Sequence, residues 1–296
     1  KFRSFKDKTH YGIDNRISKK WSQSRNTIKD LYKSEKHFFF RLLKNTNSYL
    51  DIGCAGGGFF KIISRFKKKF IYFGLDVSPS LIKIARKNFK KGFFYKYDGK
   101  KIKIPKKVDM AYSFGTLHHV NNYLSLIKQM INVSNKYILF DVRLTKKSTI
   151  INRKKSFQKI EINNKILSSI NYNIINKNDF LKSLKKLTGK YKVRIYQYYH
   201  NVNKSVVTKH KRVIMAAILI DKSVINKYWF KVENNFILVL GSKPGSKLPN
   251  IDVSKVYSAN GAAERALNYF NKFGKKELTC VCGSMEFFKN LEVRSR

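Results

Sequence analysis

Three aspartates stand where they could hold a ligand. Asp51, Asp76 and Asp98 each fall in or just beyond the end of an apolar run typical of a β-strand. Acidic residues are scarce here, because residues 1–232 contain only 12 of them. Because open α/β sheets bind ligands at the carboxyl ends of their strands, this placement predicts one shared site. Carboxylates there accept hydrogen bonds from ribose hydroxyls. The alternative is that the aspartates only cap helices and loops.

A glycine cluster follows the first of these acids, in the run Asp51-Ile-Gly-Cys-Ala-Gly-Gly-Gly-Phe59. An apolar strand before it and a helical pattern after it let the backbone pass close to a ligand and present amide N–H groups. A lone glycine loop is a weak signal. Here the next strand ends in Asp76, 25 residues after Asp51, where nucleotide-binding folds place the acid that binds ribose.

Short apolar runs alternate with helical segments from residue 48 onward, which predicts a doubly wound α/β fold with right-handed crossovers. A further helix is predicted at 177–187, and the runs 191–200 and 212–221 are close enough to pair as an antiparallel edge. The expected sheet is mostly parallel and seven-stranded. Strands are predicted at 48–53, 70–76, 92–97, 107–114 and 136–143, and helices at about 57–68, 79–90 and 121–134.

The chain divides into three predicted parts. Residues 1–47 form an N-terminal helical cap, with one amphipathic helix over 24–43 in which Glu35 occupies a position of otherwise apolar spacing. Residues 48–232 form the main domain, where the polar stretch 146–165 is expected to be a loop over one end of the sheet. Residues 233–296, with 10 basic and 6 acidic residues, predict a partial second α/β domain of βαβ type.

The glycine run resembles the Asp-x-Gly-x-Gly-x-Gly motif of class I, Rossmann-like S-adenosylmethionine-dependent methyltransferases. Asp51, Gly53 and Gly57 match it, and Ala55 replaces the middle glycine. Alanine still permits close approach to a ligand if its φ is negative. A dinucleotide oxidoreductase is the nearest rival, but its Gly-x-Gly-x-x-Gly fingerprint is interrupted here by Cys54-Ala55.

Three further segments resemble the later motifs of the same family, so that the resemblance covers about residues 24–222. It implies S-adenosylmethionine as cofactor, with Asp51 at its methionine amino end, Asp76 on its ribose, Val77 packed on its adenine and Asp98 accepting from the adenine amino group. The segments are Leu75-Asp76-Val77, Tyr97-Asp98-Gly99 and 108–120. The implied cofactor-binding residues are Asp51, Gly53, Cys54, Ala55, Gly57, Asp76, Val77, Tyr97, Asp98 and Phe114.

His118 and His119 follow the fourth predicted strand, in a loop that the resemblance places above the cofactor methyl group. Either imidazole can take a proton from a hydroxyl or an amine near neutral pH. His119 is the preferred catalytic base because it matches the more regular histidine of the family's loop. The alternative is a histidine that only packs. Methyl transfer is an in-line displacement at an activated carbon, so no metal is expected.

The methyl acceptor is expected to be a small molecule or a glycan precursor, methylated on oxygen or nitrogen. Phe114-Gly-Thr-Leu stands where nucleobase amino-methyltransferases carry an Asn/Asp-Pro-Pro-aromatic loop, and no cysteine near strands four and five could attack a pyrimidine. A cofactor-binding protein without turnover is a third reading. Four aromatic residues of the far strand either line the acceptor pocket or pack in the sheet: Tyr196, Tyr198, Tyr199 and His200.

The formal charge of +45, from 63 basic and 18 acidic residues, would attract any polyanion. An RNA methyltransferase is therefore the alternative function, although nucleic acid is not the favoured partner because no nucleic-acid module is recognisable. A composition rich in Lys, Asn and Ile, as in AT-rich genomes, competes as the cause. No apolar run approaches the roughly 20 residues of a membrane-spanning helix, and the N-terminus lacks a signal-peptide pattern, so the cytoplasm is the expected location.

Residues 236–284 faintly resemble the opening of a nucleotide-handling Rossmann-type domain such as those of glycosyltransferases, with a dimerisation or capping appendage as the alternative. Cys280 and Cys282 alternate in one predicted strand, and with Cys54 they lack the spacing of disulfide or zinc sites. The chain begins at Lys1 rather than at Met, which favours a fragment of a longer protein. Its oligomeric state is not indicated.

Overall fold

The computed structural model describes residues 15–189, 191–225 and 230–233, and its centre is a mixed β-sheet. Five parallel strands lie in the order β3-β2-β1-β4-β5, so the strand order reverses between β1 and β4. Each agrees with its predicted position to within two residues at either end. The strands are β1 (Ser48–Ile52), β2 (Ile71–Asp76), β3 (Phe93–Lys96), β4 (Val108–Ser113) and β5 (Ser134–Thr145).

Two long antiparallel strands complete the seven. β11 (Arg212–Ile225) pairs with β5 on one side and with β9 (Tyr191–Asn201) on the other. The predicted pairing of these two strands is confirmed, and β11 lies inside the sheet. Two short strands, β8 (Ile175–Asn176) and β12 (Phe230–Glu233), extend the sheet beside β5 and β9. The predicted α/β class with a seven-stranded, mostly parallel sheet is confirmed.

Helices cover both faces of this sheet because alternate strand residues point to opposite sides. In β1, Leu50 packs in the core formed with α5 (Tyr123–Val133) and α6 (Lys177–Thr188). Tyr49 packs in the core formed with α2 (Lys33–Leu42), α3 (Gly58–Ser64) and α4 (Pro79–Asn88). The helix α4 begins with Pro79 after Ser78, whose hydroxyl accepts from the Leu81 N–H. The helices are α3 (Gly58–Ser64), α4 (Pro79–Asn88), α5 (Tyr123–Val133) and α6 (Lys177–Thr188).

The single helix predicted over 24–43 is wrong. A helix α1 (Asn15–Ser22), a 3₁₀ turn (Ile28–Asp30), the helix α2 (Lys33–Leu42) and a second 3₁₀ turn (Leu43–Asn45) are found instead. Tyr32 is extended, with φ −65° and ψ 158°, and its N–H donates to Glu35 at 2.8 Å. This side-chain cap fixes the start of α2 at residue 33, so the apolar spacing upstream belongs to a turn rather than to a helix.

The loop predicted over 146–165 is also wrong in part. It contains β6 (Phe157–Ile162), which pairs with β7 (Lys165–Asn171) and β10 (Val206–Val207) in a small antiparallel sheet. Asn163 and Asn164 form the connecting turn with φ of 49° and 59°, as a two-residue hairpin of right-handed twist requires. In the sequence these two asparagines lie in a polar stretch, which is why a loop was predicted there. Ile160 of β6 packs against the α1 residue Ile17.

The predicted C-terminal domain of residues 233–296 lies outside the described residues except for its first position, as do residues 1–14. The domain boundaries at 47/48 and 232/233 therefore stay predictions. Within the described ranges, none of the helices is both long enough and apolar enough to cross a bilayer.

Candidate functional site

The glycine loop after β1 lies where the strand order reverses, which is the usual ligand crevice of an open α/β sheet. The N–H groups of Gly53 and Cys54 both donate to the Leu75 carbonyl, at 2.7 and 3.1 Å, and so hold the loop against the end of β2. Gly53 has φ +80°, and a Cβ placed there would be 2.1 Å from the Oγ1 atom of Thr116. The close approach of the loop after β4 therefore requires glycine at this position.

Ala55, the residue that replaces the family's middle glycine, has φ +47°. The condition for close approach, a negative φ, is therefore not met. The Ala55 N–H donates to Oδ2 of Asp76 at 2.9 Å, and this bond fixes the left-handed backbone. Such a conformation costs an alanine about 1–2 kcal/mol relative to its ordinary region.

Asp76 at the end of β2 joins three parts of the site. Its Oδ1 atom accepts from the Ser78 N–H at 2.9 Å, and its backbone carbonyl accepts from the Tyr97 N–H at 2.8 Å. The side chain is buried, and burial raises its pKa despite the bonds from Ser78 and Ala55. The carboxylate that sequence analysis assigned to a ribose thus also holds the glycine loop in place.

The residues predicted beside the adenine lie at the ends of β2 and β3. Val77 is half-buried against the core. Asp98 is exposed, and its Oδ1 atom accepts from the Lys100 and Lys101 N–H groups at 2.8 and 3.0 Å, which lowers its pKa. Gly57 has φ +85° at the start of α3, and a Cβ there would be 2.8 Å from the Phe89 ring.

Asp51 is buried at the centre of the site. Burial raises its pKa to about 7, although the Tyr72 hydroxyl, which donates to Oδ2 at 2.6 Å, and the charge of Arg25 lower it. An aspartate with a pKa near 7 is ionised in part at neutral pH, and a nearby cationic group would favour the ionised form.

Five of the predicted cofactor residues line one small cavity, and Arg25 lines it with them. Arg25 was not among the residues predicted from the sequence. Its guanidinium forms an ion pair of 2.8 Å with Glu35, whose side chain is fully buried. Burial lowers the pKa of Arg25, but the charge and hydrogen bond of Glu35, together with the charge of Asp141, raise it above its ordinary value. The acid at an apolar helical position was the available signal, because a buried carboxylate needs a cation. The five are Asp51, Gly53, Cys54, Ala55 and Phe114.

A larger cleft of about 460 Å³ adjoins this cavity, and Ser24 and Arg25 line both. His118 and His119 both line this cleft. The Nδ1 atom of His119 lies 2.5 Å from the Asn171 carbonyl, which can only accept, so Nδ1 carries the proton. Burial lowers the pKa of His119 to about 4.

His118 differs from its neighbour because its Nδ1 atom is buried without a hydrogen-bond partner among the described residues. Its ring lies 3.9 Å from the His119 ring and 5.0 Å from the Tyr172 ring, centroid to centroid. Burial, and then the neighbouring His119, lower its pKa well below the ordinary value. Both histidines are therefore neutral at pH 7.

Arg143 of β5 lines the cleft and pairs with Asp141 of the same strand, and neither residue was predicted from the sequence. The Oδ2 atom of Asp141 accepts from Arg143 at 2.5 Å, and its Oδ1 atom accepts from the Gly115 N–H at 2.7 Å. Asp141 is fully buried, so this pair fixes the loop that carries the two histidines.

Of the four aromatic residues proposed for the acceptor pocket, His200 lines the cleft. Tyr196 instead stacks on His37 with ring centroids 3.8 Å apart, and Tyr199 is exposed beneath Arg212. Packing is thus the role of Tyr196. Within the described ranges, no cluster of three His, Cys, Asp or Glu side chains could hold a metal ion.

A family model described as a methyltransferase domain matches residues 24–168, the segment that contributes the glycine loop, the three aspartates and both histidines. The chain contains a class I S-adenosylmethionine-dependent methyltransferase domain. The protein of Invertebrate iridescent virus 6 provisionally named methyltransferase 235L is 30% identical over 132 residues, which are 41% of this chain and 48% of that protein. The chain thus spans about half the length of this curated relative.

Solved structures also resemble the methyltransferase domain. An S-adenosylmethionine-dependent methyltransferase of Clostridium acetobutylicum is 13% identical, with a TM-score of 0.45, over 64% of this chain and 92% of that one. Another, from Mesorhizobium loti, is 14% identical, with a TM-score of 0.44, over 64% of this chain and 98% of that one.

Proposed function

We propose that this protein transfers a methyl group from S-adenosylmethionine to an oxygen or nitrogen of a small molecule or glycan precursor. One observation carries the proposal: Ser24 and Arg25 line both the glycine-loop cavity and the larger cleft. A donor held in the first would therefore lie next to an acceptor held in the second, as in-line displacement requires.

The side chains of the cavity fit the methionine end of the cofactor. Asp51 carries a carboxylate suited to the ammonium group, and Arg25 carries a guanidinium suited to the carboxylate. Asp76 would accept from the ribose hydroxyls, with Val77, Tyr97 and Asp98 beside the adenine. Gly57 lets the start of α3 pack closely against the Phe89 ring, which holds the glycine loop in place. The cofactor supplies a methyl group activated by its sulfonium.

His119 is proposed as the base that takes the acceptor's proton. Because Nδ1 of His119 donates to the Asn171 carbonyl, the other ring nitrogen carries the lone pair that accepts a proton. The low pKa of the imidazole keeps it neutral and able to accept across the physiological range. His118, beside it, is proposed to hold the acceptor through its Nδ1 atom, which has no hydrogen-bond partner among the described residues.

Calorimetric titration with S-adenosylhomocysteine tests the cofactor site. Asp76→Ala should weaken binding by about 1.5–3 kcal/mol, because the ribose hydroxyls lose a charged acceptor. Asp109→Ala is the matched control, since Asp109 pairs with Lys136 at the opposite end of the sheet. Unchanged affinity in Asp76→Ala, or no binding by the wild-type protein, would overturn the assignment.

Turnover tests the histidines once an acceptor is in hand. His119→Ala and His119→Gln should both lose roughly 10²–10⁴ in kcat with cofactor affinity nearly intact, because general-base catalysis contributes about that much. A packing histidine would instead give near-normal turnover in the glutamine variant and lower thermal stability in the alanine variant.

An RNA acceptor is the second candidate, and the distribution of acidic side chains favours it. Asp30, Asp98 and Asp109 each accept from backbone N–H groups, so these acids are held in local caps while the surface lysines greatly outnumber them. RNA binding that falls steeply between 50 and 200 mM salt, together with methyl transfer to RNA, would establish this candidate. We expect a cytoplasmic location for either function.

A further inference from the structure

The acceptor cleft differs in charge from the rest of this strongly basic chain. None of the fifteen described residues that line it is a lysine, although the chain has 63 lysines and arginines. Its two arginines are both paired to buried carboxylates, Arg25 to Glu35 at 2.8 Å and Arg143 to Asp141 at 2.5 Å. Neither cation lacks a counter-charge, and the remaining donors of Arg25 are the ones assigned to the cofactor carboxylate in the adjoining cavity.

The remaining titratable groups of the cleft do not add positive charge. Burial lowers the pKa of His118, His119 and His200, so these rings are neutral at pH 7. Asp30 is the one acidic side chain among the described lining residues, and it accepts from the Thr27 N–H at 2.8 Å. A phosphate or carboxylate in this cleft would lose its hydration without gaining an unpaired cation.

Uncharged polar groups and aromatic rings make up most of the remaining wall. Amide side chains both donate and accept hydrogen bonds, which matches hydroxyl groups that also do both. Val206 is the one aliphatic side chain of the described lining, whereas sites for apolar ligands are lined mainly by hydrophobic side chains. The amides and rings are Gln23, Gln158, Asn203, Trp21, Tyr32 and Tyr172.

His118 adds a polar group that the protein itself does not satisfy. Its side chain is 5% exposed, its Nδ1 atom is buried without a hydrogen-bond partner among the described residues, and the residue lines the cleft. Buried polar groups without partners are uncommon, and one at a cleft indicates a ligand hydroxyl or water as the missing partner.

We propose that the methyl acceptor is a neutral, polyhydroxylated molecule such as a glycoside, and that one of its hydroxyls is methylated. This inference rests on the proposed methyl-transfer function and names its acceptor class. The acceptor oxygen forms the new O–CH₃ bond as the S–CH₃ bond breaks and its electron pair stays on sulfur. The hydroxyl proton passes to the His119 imidazole, which leaves a neutral thioether and a methyl ether.

Transfer from radiolabelled S-adenosylmethionine tests this acceptor class. The panel contains methyl glycosides of the common hexoses, the uronic acid and 6-phosphate of each, and an RNA oligonucleotide. At least one neutral glycoside should be methylated with kcat/KM tenfold or more above its uronate and its phosphate. Preference for an anionic sugar or for RNA would overturn the inference.

S-adenosylhomocysteine binding separates the two ways in which the test can fail. If the protein binds this product but methylates none of the neutral glycosides, the acceptor class is wrong and the proposed function stands. If it binds neither S-adenosylmethionine nor S-adenosylhomocysteine, both are wrong.

A charge-introducing variant gives a second, independent measurement. Gln158→Lys places a cation in the cleft wall, so the kcat/KM ratio of uronate to matched neutral glycoside should rise about tenfold. Asn88→Lys, at the exposed end of α4, adds the same charge outside the cleft and should leave the ratio unchanged. Equal ratios in both variants, with undisturbed circular-dichroism spectra, would show that the cleft does not hold the acceptor.

Discussion

The hydroxyl of Tyr72 on β2 donates a hydrogen bond of 2.6 Å to Asp51 on the neighbouring strand β1, and both side chains are buried. Burial raises the pKa of Asp51, and the Tyr72 bond and the charge of Arg25 limit the rise, so that it reaches about 7. Only the ionised carboxylate attracts a cofactor ammonium group. Cofactor affinity is therefore expected to depend on the ionisation of Asp51 near neutral pH.

Affinity for S-adenosylhomocysteine should fall as the pH is lowered from 8 to 6, approaching tenfold per pH unit below the pKa of Asp51. The direction follows because protonation at low pH removes the charge that binds the ammonium group. Calorimetry at several pH values measures it. The cofactor's own amino group titrates at about 8, so Asp51→Asn is the control, and an identical pH profile in that variant would contradict the prediction.

Tyr72→Phe should move this pH dependence upward. Without the hydroxyl the ionised carboxylate loses a hydrogen bond, so the pKa of Asp51 rises further above its ordinary value. The ratio of Tyr72→Phe affinity to wild-type affinity for S-adenosylhomocysteine should be lowest at pH 6–7 and should return toward one at pH 8.5. Tyr49→Phe is the matched control. Tyr49 is buried on β1 directly opposite Tyr72 of β2, but its hydroxyl donates to the Thr46 carbonyl rather than to Asp51. A deficit independent of pH would indicate a purely structural role.

Ala55→Gly should stabilise the protein by about 1 kcal/mol. Glycine adopts a φ of +47° without the steric cost that alanine bears, although its greater freedom in the unfolded chain offsets part of the gain. Urea denaturation measures the change. Ala111→Gly, in the interior of β4, should destabilise the protein instead. Lower stability in Ala55→Gly would show that the left-handed backbone is not strained.

Gly53→Ala should destabilise the protein by more than 2 kcal/mol, since the new Cβ would meet Thr116 at a φ of +80°. Thr116→Ala in the same chain removes the Oγ1 and Cγ2 atoms and should recover the steric part, leaving about 1 kcal/mol of backbone strain. Urea denaturation of both single variants and the double variant gives the coupling. If the changes in unfolding free energy of the two single variants simply add in the double variant, the new Cβ does not clash with Thr116.

Arg25→Met should cost about 3–5 kcal/mol of stability, because Glu35 would be left buried without its counter-charge. Adding Glu35→Gln removes that charge and should restore most of the stability. If Arg25 binds the cofactor carboxylate, the double variant should still bind S-adenosylhomocysteine at least tenfold more weakly than wild type does. If the folded double variant binds S-adenosylhomocysteine with wild-type affinity, Arg25 has only a structural role.

Local patterns in the sequence were sufficient for the sheet and for the cofactor end of the site. The parallel strands follow from apolar runs alternating with helical periods, and this periodicity is a local property of the sequence. Asp51, Asp76 and the glycine loop lie at strand ends, so the order of the strands alone gathers them. The sign of φ at Ala55 did not follow, because it depends on the bond from its N–H to Asp76.

The acceptor side was decided by the tertiary structure. Its wall combines α1, the loop after β4, β5, the β6–β7 hairpin and the end of β9, which are far apart in the chain. Arg25 and Arg143 became identifiable only through the buried acids that pair with them, and Glu35 at an apolar helical position was the one local trace. The sequence gives the charge of each side chain, but whether a cation is neutralised depends on which acidic side chain the fold brings within about 3 Å of it.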